Sequence, residues 1–560
     1  MVGAAAVIVG SAMAGCAMQI DVAAERSDQI ESTPTVAPNA PAPQPVGDVN
    51  WGTCERFDIP PADFVGTNAW ECGVLVADMD PFDPSATDTV ELALTRHRAT
   101  GRRLGSLLIN PGGPGGSGVD FAWAIRSSLP VDILRSFDIV GWDPRGVGKS
   151  LPAITCGDEP DLDGQFLMAA CAESTGLLAE HLAAPYSARD MEAIRVELGE
   201  EQLDYLGYSY GATLGASYAQ QFPEQVGRFV LDGVTDPLIG STDGYFEDGF
   251  PYYAADGTAE AAERFSELCD ASDRCALGAS STDTIDDIRA SIDELPTPDF
   301  SGEPDTVDQL VFVELLTSTL NYSGDWELIG TALADAADGD ASAVASLVST
   351  DTAISSDALD EPVEPFEVAN IVIYCADFRH VITTSAYCDG VPQNDRTLEP
   401  VERVDVATPI LVIGTEFDPL TPGKHAPDFA DALGDAVDIS WSGVGHTAFP
   451  APTRCVDGAV IRYLIDGLLP HDGLDCPSTD QAGEDPTDEQ IADVLFGHGD
   501  AEAERLLVNV FEFGIGLDNS SARCAARQVN RLDDRTISHV VLALESAEGD
   551  AAIDAALTSC

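Results

Sequence analysis

Short apolar runs alternate with amphipathic segments along much of the chain, and each run ends in a turn rich in Gly or Pro. Runs of this length and composition predict buried β-strands. The clearest runs are 104–110, 137–142, 203–208, 228–232 and 409–414. Helical periodicity lies between several of them, as at 188–198 and 212–221. Alternating strands and helices predict an α/β fold, with a doubly wound, mostly parallel sheet and helices on both faces.

The alternation breaks off in the middle of the chain. Residues 241–400 are acidic and rich in helical patterns, for example at 329–337, and we interpret them as a helix-rich insertion. The strand pattern resumes near Thr408, so the core is predicted in two parts, 51–240 and 401–476. A polar, Pro-containing linker then leads into a small unit with helical periodicity, and together they occupy 477–560.

The N-terminal segment predicts export. Residues 1–15 are apolar and end in Met-Ala-Gly before Cys16, which is typical of a bacterial lipoprotein signal whose Cys becomes lipidated. The run is too short to span a bilayer. An ordinary signal peptide is the alternative, and the absence of Lys or Arg before the apolar run departs from both patterns. Residues 16–50 are rich in Pro and Ala and predict an extended tether.

Charge narrows the choice of partners. The 560 residues contain 27 Lys+Arg and 96 Asp+Glu, which gives a formal net charge of −69. Such a surface repels phosphate, so nucleic-acid binding and electrostatic docking on anionic lipid are both disfavoured. Membrane association is therefore expected only through the N-terminal lipid anchor. The hydrophobic content of 44% is nevertheless normal for a globular protein with a packed core.

Besides Cys16, twelve cysteines fall into couples that are close in sequence. No C-x-x-C pair occurs, which argues against a zinc or redox role. We expect six disulfides between neighbours, and hence an oxidising compartment. The predicted pairs are Cys54–Cys72, Cys156–Cys171, Cys269–Cys275, Cys375–Cys388, Cys455–Cys476 and Cys524–Cys560.

A G-x-S-x-G motif at 207–211 supplies a candidate nucleophile, Ser209. It follows a predicted strand and opens a predicted helix, which is the context that a nucleophile elbow requires. A second glycine-rich segment, 110–118, follows another strand but lacks the Lys-Ser/Thr of a phosphate-binding P-loop. We interpret it as an oxyanion loop, in which the backbone N–H of Gly113 joins the N–H of Tyr210.

A general base and an orienting acid are expected after the nucleophile, in the order Ser, Asp, His. His446 lies in a Gly-flanked loop after a predicted strand, and Asp418 lies just past the strand 409–414. Glu416 is the alternative acid, and a structural role is the alternative for His446. Arg145, in the Asp-Pro-Arg-Gly turn after the strand 137–142, is interpreted as a structural residue that ties neighbouring loops together.

These motifs together resemble the α/β-hydrolase peptidases of the prolyl aminopeptidase family, and specifically the secreted actinobacterial tripeptidyl aminopeptidases. The resemblance covers about 51–476. Pro111 stands where other members carry His, and 477–560 falls outside the resemblance. The motifs that carry it are NPGGPGGSG at 110–118, DPRGVGKS at 143–150, the segment 203–237, GTEFDPLTP at 414–422, GVGHT at 443–447, and Cys455-Val456-Asp457 with Cys476.

The resemblance implies Ser209 as nucleophile, His446 as general base and then acid, and Asp418 as its orienting partner. It implies that the insertion at 241–400 forms a helical cap over the site, with acidic residues that bind the free amine of a peptide. It implies no metal and no cofactor. Three functions are weighed: an exopeptidase releasing short N-terminal peptides, an esterase with the same triad, and a non-catalytic binding protein. The first is preferred, so the expected partner is a peptide or ester substrate.

Overall fold

The computed structural model describes most of the chain between residues 49 and 478. The N-terminal segment with Cys16 and the tail with Cys524 and Cys560 lie outside the described residues. The described residues are 49–57, 70–126, 128–156, 164–239, 246–247, 250–251, 253–271, 275–278, 281–291, 297–298, 304–305, 320, 326–339, 365–378, 388, 390–392, 396–450 and 454–478.

A nine-stranded sheet organises the described residues, in the order β1-β2-β4-β3-β5-β6-β11-β12-β13. Its strands are β1 Glu71–Asp78, β2 Thr89–His97, β3 Gly105–Asn110, β4 Phe137–Trp142, β5 Leu203–Tyr208, β6 Val226–Asp232, β11 Ile410–Phe417, β12 Ala436–Val444 and β13 Leu474–Cys476. The pairs β1–β2 and β2–β4 are antiparallel, and every other pair in this sheet is parallel. The predicted α/β class with a mostly parallel sheet is therefore confirmed.

Helices cover both faces of this sheet. The helices are α1 Gly118–Ile125, α2 Val131–Ser136, α3 Gly164–Thr175, α4 Ala184–Leu198, α5 Tyr210–Gln221, α6 Tyr253–Ala271, α7 Ser281–Ser291, α8 Trp326–Ala337, α9 Pro365–Phe378, α10 Ala426–Leu433 and α11 Arg454–Asp466. Short 3-10 turns occupy Cys54–Phe57, Gly176–His181, Pro223–Gln225 and Gly423–His425. One apolar cluster packs α1, α2 and α11 on one face, and a second packs α4, α5, α9 and α10 on the other.

The predicted insertion leaves the sheet after β6 and returns to it at β11. Its described parts are helices α6 to α9 and two short antiparallel pairs. These pairs are β7 Phe246–Glu247 with β8 Phe250–Pro251, and β9 Thr297–Pro298 with β10 Pro304–Asp305. Helix α9 packs in the same apolar cluster as α4 and α5, so part of the insertion belongs to the core.

Five of the six predicted cysteine pairs are joined by disulfides. They are Cys54–Cys72, Cys156–Cys171, Cys269–Cys275, Cys375–Cys388 and Cys455–Cys476. Disulfides persist in oxidising surroundings, so they indicate an environment outside the cytoplasm. No helix among the described residues is long and apolar enough to cross a membrane.

Arg145 is buried and makes the structural contacts that its motif predicted. Its guanidinium forms a two-pronged ion pair with Asp190 of α4, at 2.8 and 2.7 Å, and donates to the carbonyls of Met79 and His181. One planar cation thus joins the residue after β1, the 3-10 turn before α4, and α4 itself, because guanidinium has five donors in a rigid arrangement.

Candidate active site

Ser209 lies at the turn between β5 and α5, with an unusual backbone. Its φ of 55° and ψ of −124° place a non-glycine residue in a region that L-residues rarely adopt. Glycines on both sides make this turn possible, because a Cβ on Gly207 would overlap the carbonyl of Gly211. A Cβ on Gly211 would lie 2.7 Å from the carbonyl of Asn110. The sharp turn presents Ser209 at the N-terminus of α5, as the motif predicted.

Asp418 and His446 lie after two neighbouring strands and contact each other directly. Asp418 follows β11, and His446 comes two residues after β12. The imidazole Nδ1 lies 2.9 Å from each carboxylate oxygen of Asp418, which is 1% exposed. Glu416, the alternative acid, has an exposed side chain, so the structure favours Asp418 as the partner of His446.

Further donors hold the Asp418 carboxylate. Thr421 donates to it from its hydroxyl at 2.9 Å and from its backbone N–H at 2.8 Å. The backbone N–H groups of Leu420 and Thr447 donate as well, at 2.9 and 3.0 Å. Thr447 has a φ of 66°, and it shares positive φ only with Ser209 among the described non-glycine residues. Backbone strain therefore occurs at the serine itself and at the residue after the histidine.

Asp232, at the end of β6, connects the serine turn to the histidine loop. Its carbonyl accepts the N–H of Ser209 at 2.8 Å, and its carboxylate accepts the N–H groups of Ala448 and Phe449. The next residue, Gly233, has a φ of 72°, and a Cβ there would lie 3.5 Å from Cε1 of His446. The ends of β5, β6, β11 and β12 thus bring all three predicted catalytic residues to one edge of the sheet.

Two opposing influences act on His446. Burial lowers the pKa of the imidazole, but the hydrogen bond and charge of Asp418, together with the charge of Asp232, raise that pKa above its usual 6.5. Burial also raises the pKa of Asp232 to about 7, although its two N–H donors oppose the change. The Asp–His pair therefore favours a protonated imidazole, which a general base must become during the reaction.

The glycine-rich loop lies against the serine turn. Gly112 has a φ of 87°, and a Cβ there would overlap the carbonyl of Tyr208 and lie 2.7 Å from the N of Tyr210. The side chain of Asn110 accepts the N–H of Gly112 at 2.9 Å. The N–H groups of Gly113 and Tyr210 have no hydrogen-bond acceptor within the described part of the chain. They are the two donors that the sequence predicted for an oxyanion.

Asp143, from the Asp-Pro-Arg-Gly turn, holds the far end of this loop. Its carboxylate accepts the hydroxyl of Ser117 at 2.7 Å and the N–H groups of Val119 and Lys149. Ser117 also caps α1 by accepting the N–H of Asp120. The loop is therefore anchored where it enters α1 as well as at Asn110.

Sequence reasoning missed the supporting residues of the site. Asp232 carried one local signal, a carboxylate at the end of an apolar strand, and Thr421 stands three residues after Asp418 in an Asp-x-x-Thr turn. Asn370 and Asp377 of α9 contact the site from the insertion, and nothing local distinguishes them.

A separate cleft of about 690 Å³ lies beside α6 and the β11–β13 edge of the sheet. Ser209, Asp418 and His446 do not line it. Its walls include Glu260, Glu263, Arg264, Glu267, Glu416 and Phe417.

Comparisons with known proteins match this chain to the α/β hydrolase fold and to relatives named as hydrolases. A family model for the α/β hydrolase fold matches residues 105–450. Serine protease Hip1 of Mycobacterium tuberculosis is 29% identical over 468 residues, covering 72% of this chain and 87% of that protein. Carboxylesterase B of the same organism is 30% identical over 517 residues, covering 80% and 92%. Tripeptidyl aminopeptidase of Streptomyces lividans is 36% identical over 215 residues, covering 34% and 38%.

Fold, site and relatives together define a serine hydrolase. The chain belongs to the α/β hydrolase family, because the family model spans more than half of it. The resemblance that the motifs indicated is thereby confirmed.

Proposed function

We propose that the protein hydrolyses acyl bonds through a covalent intermediate on Ser209. His446 removes the proton from the Ser209 hydroxyl as it attacks the carbonyl carbon, and the carbonyl oxygen becomes an oxyanion. The N–H groups of Gly113 and Tyr210 bind that oxyanion. His446 then protonates the leaving group, and water releases the acyl group by the reverse sequence. Asp418 orients the imidazole and stabilises its charged form.

The observation that carries this proposal is the shared edge of the sheet. Ser209 has a strained backbone at a helix N-terminus, and Asp232 bonds both to its N–H and to the loop that carries His446. The Asp418–His446 bond of 2.9 Å completes the set. A merely structural histidine explains neither the positive φ at Ser209 nor that at Thr447.

For the substrate, we propose a peptide with a free N-terminus, from which the enzyme releases short peptides. The support comes from relatives named as a serine protease and a tripeptidyl aminopeptidase, and from motifs shared with the aminopeptidase branch. Helix α6 of the insertion packs on the Asp418 loop, since a Cβ on Gly257 would lie 2.8 Å from the Asp418 carbonyl. The insertion therefore borders the site, where a cap would select the substrate.

A carboxylesterase is the second candidate. The relative named Carboxylesterase B aligns over more of this chain than the other two relatives do, and the same triad hydrolyses esters. A third possibility, a non-catalytic binding protein, does not account for the strained turn at Ser209 or for the Asp418–His446 pair.

One substrate panel separates these functions. The purified protein would be given a tripeptide anilide with a free amine, its N-acetylated twin and a short acyl ester, with Ser209→Ala as the control. An exopeptidase cleaves the free anilide with a kcat/KM at least tenfold above that of the acetylated twin. An esterase cleaves only the ester. Labelling of Ser209 by a fluorophosphonate supports both enzymes and excludes the binding protein.

For localisation, we propose export with a lipid on Cys16, and a tether at 16–50. The disulfides support the oxidising compartment, and the Met-Ala-Gly-Cys motif supports the lipid. Expression in a lipoprotein-processing host tests the anchor. The native chain is expected in the detergent phase of a Triton X-114 partition, and Cys16→Ser in the aqueous phase. Equal partitioning of the two chains would contradict the anchor.

A further inference from the structure

Helix α9 of the insertion contacts both segments that supply the proposed oxyanion donors. The side-chain amide of Asn370 donates to the carbonyl of Pro114 in the glycine-rich loop, at 2.8 Å. The hydroxyl of Tyr210, beside the serine, donates to the carboxylate of Asp377. Asn370 and Asp377 are seven residues apart, which is about two helical turns, so both lie on nearly the same face of α9.

The position of α9 is itself fixed by the core. Asp377 is fully buried, and its second carboxylate oxygen accepts the N–H of Ala184 at 2.7 Å. Ala184 is the first residue of α4, whose preceding residue offers no side-chain cap, so Asp377 supplies the missing acceptor. Apolar residues of α9 pack in the core cluster, and Cys375 ties the helix to Cys388. The helix is therefore a rigid support and not a loosely attached part of the insertion.

The glycine-rich loop needs such a support. Gly112, Gly113 and Gly115 all have positive φ, and glycine has little intrinsic preference for one conformation over another. Asn110 holds one end of the loop and Asp143 the other. The middle of the loop is held from another element by the bond that Asn370 donates to Pro114, one residue after Gly113. Among the hydrogen bonds of the described residues, it is the only one of this kind.

We propose that α9 sets the geometry of the oxyanion hole, with Asn370 and Asp377 as positioning residues. The inference rests on the proposed function, because it presumes that Gly113 and Tyr210 bind an oxyanion. Asn370 keeps the N–H of Gly113 directed at the reacting carbonyl. Asp377 holds the Tyr210 side chain, and with it the start of α5. Neither residue touches the substrate, and both act through the donor segments.

The first test compares Asn370→Ala with a matched control, Gln220→Ala. Gln220, at the far end of α5, also donates a side-chain amide to a proline carbonyl, that of Pro400 at 3.2 Å. Both variants lose the same kind of bond, but only Asn370 lies beside the oxyanion loop. With a short acyl ester, Asn370→Ala is expected to lower kcat about tenfold or more while KM stays within twofold, because loss of a whole oxyanion donor costs about 10²–10³. Gln220→Ala should leave both constants unchanged.

The second test is a double-mutant cycle on Tyr210→Phe and Asp377→Asn. The asparagine keeps an acceptor for Ala184, and the phenylalanine keeps the ring. Each single change is expected to lower kcat, and the double variant should lose no more than the worse single variant, because both changes remove the same charge-assisted bond from the Tyr210 hydroxyl to the Asp377 carboxylate. Fluorophosphonate inactivation rates should fall in parallel with kcat, since the phosphoryl oxygen occupies the same hole. Melting temperatures identify any variant that fails to fold, and Asn370→Ala still decides the proposal then.

Three results would overturn the inference. The first is a kcat of Asn370→Ala equal to that of Gln220→Ala. The second is an Asn370→Ala defect confined to KM. The third is additivity of the kcat losses caused by Tyr210→Phe and Asp377→Asn. The unsubstituted protein separates this failure from failure of the proposed function. If a fluorophosphonate does not label Ser209 there, the proposed function falls and this inference with it. If Ser209 is labelled but Asn370→Ala leaves kcat unchanged, only this inference is wrong.

Discussion

The Asp418 carboxylate shows how one residue is fixed by the hydrogen bonds it accepts. His446, the hydroxyl of Thr421 and three backbone N–H groups all donate to its two oxygens. With Nδ1 of His446 directed at this carboxylate, Nε2 is left as the nitrogen for the base in the proposed mechanism. The Asp418 side chain thus determines both the orientation and the tautomer of the imidazole.

Asp418→Asn should reduce kcat/KM by about 10⁴, because the amide favours the wrong imidazole tautomer while the local fold survives. Ester hydrolysis measured beside the melting temperature checks this expectation. Glu416→Gln is the control, since that side chain is exposed two residues earlier and should be replaceable without loss. If Glu416→Gln were the damaging change, the acid would be misassigned.

The pH dependence of activity should follow His446. The general base must be neutral, and its pKa is raised above the usual 6.5, so kcat/KM should fall as the pH drops through a value above 6.5. In Asp418→Asn the main cause of the rise is lost, and the acid limb of the residual activity should move to lower pH. Profiles of kcat/KM against pH, recorded with an uncharged ester, measure the acid limb of the unsubstituted protein and that of Asp418→Asn. An acid limb well below pH 6.5 in the unsubstituted protein would contradict the assignment.

At the level of elements, the site is formed by loops at the strand ends, and buried carboxylates connect these loops to one another and to a neighbouring helix. Asp232 at the end of β6 joins the turn before α5 to the loop after β12, and Asp143 joins the turn after β4 to α1. Each carboxylate accepts backbone N–H groups from a loop that carries a glycine at positive φ. The rigid ends of the strands thereby fix the conformation of loops whose glycine-containing backbones have little conformational preference of their own.

Gly112→Ala tests the close approach of the glycine-rich loop. The new methyl group would meet the Tyr208 carbonyl and displace the loop from the serine turn, so kcat should fall by about 10² or more. Gly199→Ala is the matched control, because Gly199 has a φ of 72° but no atoms within 4 Å of an added Cβ. It should cost about 1–2 kcal/mol of stability and leave kcat unchanged. Equal kcat in both variants would remove the loop from the mechanism.

For the whole molecule, the buried carboxyl groups and the net charge of −69 both lower the stability of the fold as the pH rises. Burial raises the pKa of Asp143 and Asp204 to about 6, and of Asp232 and Asp377 to about 7, against an ordinary 3.8. A carboxyl whose pKa is raised by folding stabilises the protein fully below 3.8, and that contribution is lost as the pH rises through 6 to 7. Repulsion among the surface carboxylates also grows with pH.

The melting temperature should therefore be higher at pH 5 than at pH 8, and added NaCl should raise it at pH 8 by screening the repulsion. Calorimetry across this range measures the change. Asp377→Asn should flatten the pH dependence, because one of the titrating groups is removed. A melting temperature that rises from pH 5 to pH 8 would contradict this account.

Truncation tests the organisation of the chain. Among the described residues the sheet ends at β13, and the last member of the apolar clusters is Cys476. A chain ending at Ser478 should fold and hydrolyse a short ester as the full chain does. A raised KM for peptides alone would show that 479–560 helps to shape the peptide site. Insoluble protein would place the tail in the hydrolase core and make the predicted boundary wrong.

Much of the fold could be predicted because its signals are local. The runs at 137–142 and 203–208 are β4 and β5, and the run at 228–232 begins two residues inside β6. The antiparallel pair β1–β2 was not predicted, since its partners are recognised only by their pairing. For the site, local motifs predicted the sharp turn at Ser209 and the pairing of Asp418 with His446, while Asp232 and Thr421 were identified only from their contacts.

The sequence by itself determined the order of the chemistry: a serine between two glycines after an apolar strand, then an acid and a histidine after later strands. Each of these depends on neighbours within a few residues, and the partners of the five described disulfides lie 6 to 21 residues apart. Only the tertiary structure decided which groups support them. Asn370 reaches Pro114 across 256 residues, and Tyr210 reaches Asp377 across 167. Such contacts leave no local pattern, because a buried amide or carboxylate acquires its partner only when distant segments pack together.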